Sequence, residues 1–279
     1  MFLITGAKGQ LGLCFKDLLA EKALYTDVDT LDITDKEDLF KWAENKNIKA
    51  IINCAAYTNV EKAEQEQSLA QKINVVGVEN LAKLAAELNA LIVHFSTDYV
   101  FDGSDTAPIC EETKPSPLNF YGKTKFEGEE KILKYAKTAV IIRTAWLYSP
   151  YGKNFVKTML NLGETKKEIN VVSDQIGTPT FAPHLVKAVL DIMPKVKQNS
   201  REIYHYTDDG VASWYDLASF VIKTAALPAK VNPILTKDYP TQARRPMYSV
   251  LSKEKIIKTF NITLNPWQRG VEKCLKQLS

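Results

Sequence analysis

The chain has 279 residues, of which 45% are hydrophobic and 25% charged, and it carries a formal net charge of +3. That length suits one large α/β domain with an added lobe, and so mild a basic excess suits an anionic substrate but gives no basis for nucleic-acid binding. No apolar run approaches the ~20 residues of a membrane span, and the scattered Cys14, Cys54, Cys110 and Cys274, with no C-x-x-C pair, fit a reducing cytoplasm rather than a disulfide framework.

In chain order, residues 2–5 read as a short apolar strand rather than a signal peptide. Residues 11–19 follow a glycine-rich turn with apolar positions at helical spacing. Residues 50–54 form a second strand. Residues 74–88 carry a helical stripe of Val75, Val78, Leu81, Leu84, Ala85 and Leu88. Residues 91–96 are almost continuously apolar, as a strand covered on both faces should be. A helix over 121–135 and a strand over 139–143 complete the first half. Repeated strand–helix–strand units predict an α/β fold, a doubly wound parallel-sheet Rossmann-type domain. The second half reads as a helix over 152–162, a strand over 169–172, a helix over 185–193 and a strand over 202–206. Ser213 caps a helix over 214–224, and a terminal helix closes the chain. The expected division is a dinucleotide-binding domain over 1–146, completed by parts of 168–205. A smaller mixed α/β substrate lobe takes 147–167 and 206–279.

Gly6, Gly9 and Gly12 give G-x-x-G-x-x-G between the first strand and first helix. The spacing departs from G-x-G-x-x-G, but the demands are alike: a tight turn, close backbone approach to a pyrophosphate, and close helix–sheet packing. Lys8, Gln10 and Leu11 lie in the same turn, at a helix N-terminus that favours an anion. Asp32, twenty residues beyond Gly12, stands where an acid often bonds the adenosine ribose; it serves the ribose or the adenine edge, and Asp29 competes for the ribose. Lys8 suits the 2′-phosphate of NADP. NADPH and NADH are both admissible, with the lysine favouring NADPH. Ala55 and Ala56, just past a strand end, are small enough for the backbone to approach a cofactor.

Tyr121 and Lys125 stand four apart and share one helix face. A carbonyl reduction needs a hydride, a proton and a group to polarise the oxygen, and the cofactor supplies the hydride. A phenol titrates near ~10. An adjacent ammonium is expected to lower Tyr121 by ~3 units, or ~4 kcal/mol. A general acid so tuned is worth ~10²–10⁴ in rate. Lys125 also reaches toward the nicotinamide ribose, and Thr97 at a strand end offers its hydroxyl to the same carbonyl oxygen. His94, flanked by apolar residues, reads as a core histidine. His184 and His205 have no partners at metal spacing, so no metal site is expected.

These features resemble the extended short-chain dehydrogenase/reductase superfamily and, within it, the dTDP-4-dehydrorhamnose reductase family. The resemblance covers nearly the whole chain. It is carried by Asn53-Cys54-Ala55-Ala56-Tyr57-Thr58, by Ser96-Thr97-Asp98-Tyr99-Val100-Phe101-Asp102-Gly103 and by Asn119-Phe120-Tyr121-Gly122-Lys123-Thr124-Lys125. Arg143-Thr144-Ala145-Trp146-Leu147-Tyr148, Asp174-Gln175-Ile176-Gly177-Thr178-Pro179-Thr180 and Arg244-Arg245-Pro246 extend it. It implies reduction of dTDP-4-dehydro-6-deoxy-L-mannose at C4 to dTDP-L-rhamnose, with NADPH or NADH as donor. It implies Thr97, Tyr121 and Lys125 as catalytic residues. Gly9, Gln10, Leu11, Asp32, Ile33, Ala55, Ala56 and Tyr57 match the family's cofactor contacts. Thr97 and Asp98 are expected at the substrate and Trp146 beside the sugar. Arg244 and Arg245 are expected to clamp its diphosphate through forked donors. Some members are magnesium-bridged dimers held by glutamates near the first helix. Here Cys14 and Phe15 follow the turn and supply no carboxylate, so the sequence gives Mg²⁺ no support and is compatible with a monomer or a homodimer.

Sugar-nucleotide dehydratases carry Thr-Asp-Glu after the strand, whereas Thr97-Asp98-Tyr99 lacks the base that elimination needs. A non-catalytic NADP-binding regulatory subunit of the same superfamily, or another sugar-nucleotide reductase or epimerase, is the alternative; the intact Thr97, Tyr121 and Lys125 weigh against pure regulation.

Overall fold

The structure is a computed structural model that describes residues 1–278. Strand β1 (Phe2–Thr5) turns at Gly6 into α1 (Gln10–Leu19), then β2 (Ala23–Tyr25), α2 (Lys36–Ala43) and β3 (Ala50–Asn53). Two short helices follow, α3 (Val60–Ala63) and α4 (Gln67–Gln71). A π-helical segment, Lys72–Gly77, carries α4 into α5 (Val78–Glu87). Then come β4 (Leu91–Thr97), α6 (Phe120–Tyr135) and β5 (Thr138–Thr144). The rest comprises β6 (Leu147–Tyr148), α7 (Phe155–Thr165), β7 (Glu168–Val172), β8 (Ile176–Gly177), β9 (Thr180–Phe181), α8 (Ala182–Ile192) and β10 (Arg201–His205). The chain ends with β11 (Ala212–Ser213), α9 (Trp214–Thr224), β12 (Lys230–Ile234), α10 (Glu254–Phe260) and α11 (Trp267–Leu278).

Six strands form one parallel sheet in the order β10-β5-β4-β3-β1-β2. Alternation along each strand sends one set of side chains to each face. Ile4, Ile52, Val93 and Val140 stand in register and pack under α1, α8 and α10. Leu3, Ile51, Ile92 and Ala139 face the other way, under α2, α5 and α6. Burying each Ile or Leu contributes roughly 1.5–3 kcal/mol, so two such layers account for a continuous core on both faces. In the second lobe β7 pairs with β12, and Val156, Met159, Leu217, Val221 and Trp267 form a separate core.

Several features differ from the sequence reading, among them the helix read over 185–193, which starts at Ala182, and the start of the helix read over 74–88, which is π-helical to Gly77. Short β2 and the polar α2, KEDLFKWA, gave no clear period, yet Asp35 caps α2 by accepting from the Asp38 N–H at 3.0 Å. The helix read from 152 starts at Phe155, because the Asn154 side chain caps it there by accepting from the Lys157 N–H. The expected Ser213 cap is present as a full capping box with Asp216.

Candidate active site

The strand order reverses between β1 and β3, and ligands of such sheets bind outside the carboxyl ends of the strands at that point. A cavity of about 400 Å³ lies there. It is lined by Gly6, Lys8 and Gly9, by Asp27, Asp32 and Ile33, and by Ala55 and Ala56. Gly6 has φ +63°, and a Cβ there would come within 2.5 Å of the Ala55 nitrogen. A Cβ on Gly12 would meet the Gly6 carbonyl oxygen at 2.4 Å. Gly9 is the N-cap of α1 and offers no side-chain cap, and the first turn of α1 carries no acid. The cradle is thus bare backbone at a helix N-terminus, which fits the pyrophosphate of a dinucleotide.

The other expected cofactor residues are placed differently from one another. Leu11 is buried in the core, so it offers only its backbone. The Gln10 side chain accepts from Ser149 Oγ at 3.1 Å and Asn154 Nδ2 at 3.0 Å, tying the cradle to the second lobe. The phenol of Tyr57 turns away to Glu66 Oε2 at 2.6 Å, while its backbone is held by Asn74. Asp32 reaches the cavity, but its Oδ1 accepts from the N–H and hydroxyl of Thr34. Asp27, which the sequence reading missed, also lines the cavity just past β2, and its Oδ2 accepts from the Lys8 N–H at 2.8 Å. It lies at the end of the second strand, the position of the ribose acid in dinucleotide folds; a strand as short as β2 concealed it. Lys8 and Asp29 pair with each other at the exposed rim, which raises the lysine's pKa and lowers the carboxyl's.

Thr97, Tyr121 and Lys125 meet at the carboxyl end of β4. Asn119 caps α6 by accepting from the Gly122 N–H at 2.8 Å. Gly122 lets the helix press on the turn after β4; a Cβ there would lie 2.1 Å from the Tyr99 carbonyl oxygen. Tyr121 is half-buried with its ring edge-on to Tyr99, centroids 5.9 Å apart. Lys125 is buried, and its Nζ donates to the Phe95 carbonyl at 2.7 Å. Asn74, in the π-helical segment, bridges the Tyr57 backbone to Thr124 Oγ1 beside Lys125. Such π segments recur at functional sites, but no side-chain pattern announced this one.

The electrostatics correct one expectation. Burial pushes the Tyr121 phenol up to about 12, with the Thr97 hydroxyl pulling the other way and Asp98 adding to the rise. The charge acting on the phenol is that of Asp98, while Lys125 is turned to the Phe95 carbonyl, so Tyr121 is held as a protonated donor rather than an acidified phenol. Burial brings Lys125 down to about 8, against the opposing charge of Glu129. Burial likewise raises the Asp98 carboxyl to about 6. Thr97 Oγ1 donates to Asp98 Oδ1 at 3.0 Å, while Asp98 Oδ2 is buried without a hydrogen-bond partner.

A second cavity, of about 770 Å³, runs from Tyr99 to the lobe between Phe155, Met159, Trp214, Gln175 and Arg245. Trp146 adopts φ +48° and stacks on Trp214 at 3.6 Å and 7°. Trp214 covers that face of Trp146 and itself lines the cavity. The arginines also part. Arg245 lines the cavity and pairs with Glu61; Arg244 has an exposed side chain, and its carbonyl accepts from Asn119 Nδ2 at 2.8 Å. Of the two arginines, Arg245 is the one that lines the cavity. Among the described residues no three His, Cys, Asp or Glu side chains are arranged to hold a metal ion, and no helix is long and apolar enough to cross a membrane.

Comparison with known proteins extends this likeness to the whole chain. Residues 1–279 match the family described as RmlD substrate binding domain. A dTDP-4-dehydrorhamnose reductase from Aggregatibacter actinomycetemcomitans is 41% identical, covering 97% of this chain and 96% of that one. The crystal structure of a dTDP-4-dehydrorhamnose reductase from Clostridium acetobutylicum superposes with a TM-score of 0.95 at 40% identity, covering 99% of each chain. That from Bacillus anthracis, solved in complex with NADP, gives 0.95 at 34% identity, covering 99% of this chain and 98% of that one. With the glycine cradle at the switch point and the Tyr121/Lys125 helix at the end of β4, the chain belongs to the RmlD family, among the dTDP-4-dehydrorhamnose reductases.

Proposed function

We propose that the chain reduces the C4 carbonyl of dTDP-4-dehydro-6-deoxy-L-mannose to give dTDP-L-rhamnose. A bound NADPH or NADH supplies the hydride. The cradle of Gly6, Gly9 and Gly12 takes its pyrophosphate, and Asp27, Asp32 and Lys8 address its adenosine end. Ala55 and Ala56 leave the backbone bare where the cofactor passes.

Tyr121 donates the proton to the developing alkoxide, and its high pKa keeps it protonated across the working range. Thr97 would polarise the same oxygen by turning its one hydroxyl proton from Asp98 Oδ1 to the substrate. The buried Asp98 Oδ2, with the Ser249 hydroxyl beside its carboxylate, would receive a sugar hydroxyl. Trp214 and Phe155 form an apolar wall for the deoxysugar nucleotide, and Arg245 meets its diphosphate. Tyr99 stands where a dehydratase would carry its base, and its burial moves its pKa well above the ordinary tyrosine range, so elimination has no group to start it.

The observation that carries this reading is the convergence of Thr97, Tyr121 and Lys125 on the end of β4, beside the glycine cradle. We place the enzyme in the cytoplasm, in line with its free cysteines. The test is an assay of purified protein with reduced cofactor and the 4-keto sugar nucleotide. Loss of reduced-cofactor absorbance coupled to dTDP-L-rhamnose formation supports it; no turnover with either cofactor rejects it.

A further inference from the structure

The geometry points to His94 as a positioning residue that sets the charge state of Lys125, through a hydrogen-bond relay crossing three strands from Thr5. Thr5, Asn53 and His94 stand in register on β1, β3 and β4. All three are buried to 1% exposure or less, and Lys125 to 2%. Thr5 Oγ1 donates to Asn53 Oδ1 at 2.7 Å, Asn53 Nδ2 lies 3.0 Å from His94 Nδ1, and His94 Nε2 lies 3.5 Å from Lys125 Nζ.

The relay has a direction. The Ala55 N–H only donates, and it bonds Asn53 Oδ1 at 3.1 Å. The Asn53 oxygen is thereby fixed, and its nitrogen must donate to His94 Nδ1. An accepting Nδ1 places the imidazole proton on Nε2, facing Lys125. A second proton on His94 would set two donors against each other; burial first, and then the charge of Lys125, also push its pKa well below the ordinary value. His94 thus presents an N–H to Lys125 throughout. An amine accepts that N–H and an ammonium does not. The Phe95 carbonyl accepts from Lys125 in either state.

The charged groups around Lys125 do not override this. Glu129, on the same helix, favours the ammonium, but Arg143 of β5 holds its carboxylate bidentately at 2.9 and 2.7 Å. Asp98, in the turn after β4, acts on Tyr121. Glu64, from the α3 side, receives the Phe120 N–H, and Glu79 of α5 pairs with Lys131 farther along α6. The π-helical segment presents the neutral Asn74 to α6. A lysine that exchanges its proton near the working pH is matched to proton transfer at that site.

The proposal rests on Lys125 serving the reductase site, but its first readouts do not need turnover. In ¹⁵N-resolved spectra of the wild-type protein, which has 3 histidines, His94 is expected to carry its proton on Nε2 and not to titrate between roughly pH 6 and 9. Asn53→Asp keeps an oxygen for Thr5 and Ala55 but puts an acceptor against Nδ1. The relay should then reverse: the His94 proton moves to Nδ1, and the Lys125 ¹³Cε titration and the alkaline limb of kcat/KM both move up by about one unit or more. His94→Gln, whose amide offers oxygen to Asn53 and N–H to Lys125, should leave that limb in place. A wild-type His94 protonated on Nδ1 overturns the proposal even if Asn53→Asp does not fold. So does a folded Asn53→Asp in which the Lys125 titration stays where it was. Absence of turnover with intact tautomer and titration results would instead count against the reductase reading alone.

Discussion

Arg245 Nη2 lies 2.6 Å from Glu61 Oε1, and Glu61 Oε2 receives the backbone N–H of Gln242 at 2.8 Å. The loop that carries the arginines is thereby docked on α3. Burial works against the Glu61 carboxylate, but the N–H groups of Gln242 and Ala243, together with the guanidinium, hold its pKa below the usual range. An entering diphosphate would exchange with Glu61 for the fork of Arg245.

Arg245→Ala is therefore expected to raise KM for the sugar nucleotide by ~10-fold, about the worth of one charge-assisted hydrogen bond, with a smaller fall in kcat. Arg244→Ala should stay near wild type, because its side chain is exposed. Steady-state kinetics of the two single variants decide it, and equal KM increases would restore the paired clamp.

The glycine cradle makes a graded prediction. A Cβ at Gly12 meets backbone at 2.4 Å, whereas at Gly9 its nearest neighbour is the Gly6 oxygen at 3.3 Å. Gly12→Ala must displace the turn, so cofactor affinity, read by fluorescence titration, should fall by ~10-fold or more. Gly9→Ala should fall less. The reverse order would mean that the cradle is not held by this packing.

Asp98 ties stability to pH. Its folded-state pKa, near 6, stands above the ordinary 3.8 because burial disfavours the charged form. Below both values the residue is neutral in either state. As pH rises between them, the unfolded chain loses its proton first and stability falls. Above about 6 the cost is complete, on the order of 3 kcal/mol. Asp98→Asn should therefore raise Tm by several degrees at about pH 8 and change it little at about pH 4. Calorimetry showing an equal shift at both would contradict the assignment.

The sheet was legible because its strands are buried on both faces and read as apolar runs; Leu91 to Ser96 is the clearest case. Tyr121 and Lys125 were legible because helical spacing alone puts them on one face. Asp27 was not, because it follows a strand too short to show a period. Trp214 was not, because its stacking on Trp146 joins residues far apart in sequence. The rise in Tyr121 was missed because a four-residue spacing fixes a shared face but not where an ammonium points, and Lys125 points to Phe95. The relay behind His94 needed strand register, which no single segment specifies.

The central claim is that Tyr121 delivers the proton while the cofactor delivers hydride. Its most direct measurement is single-turnover oxidation of NADPH by the 4-keto sugar nucleotide, comparing wild type with Tyr121→Phe at matched cofactor occupancy. The expected result is unchanged NADPH affinity and a rate lower by at least ~10². Near-full activity in that variant would contradict the account.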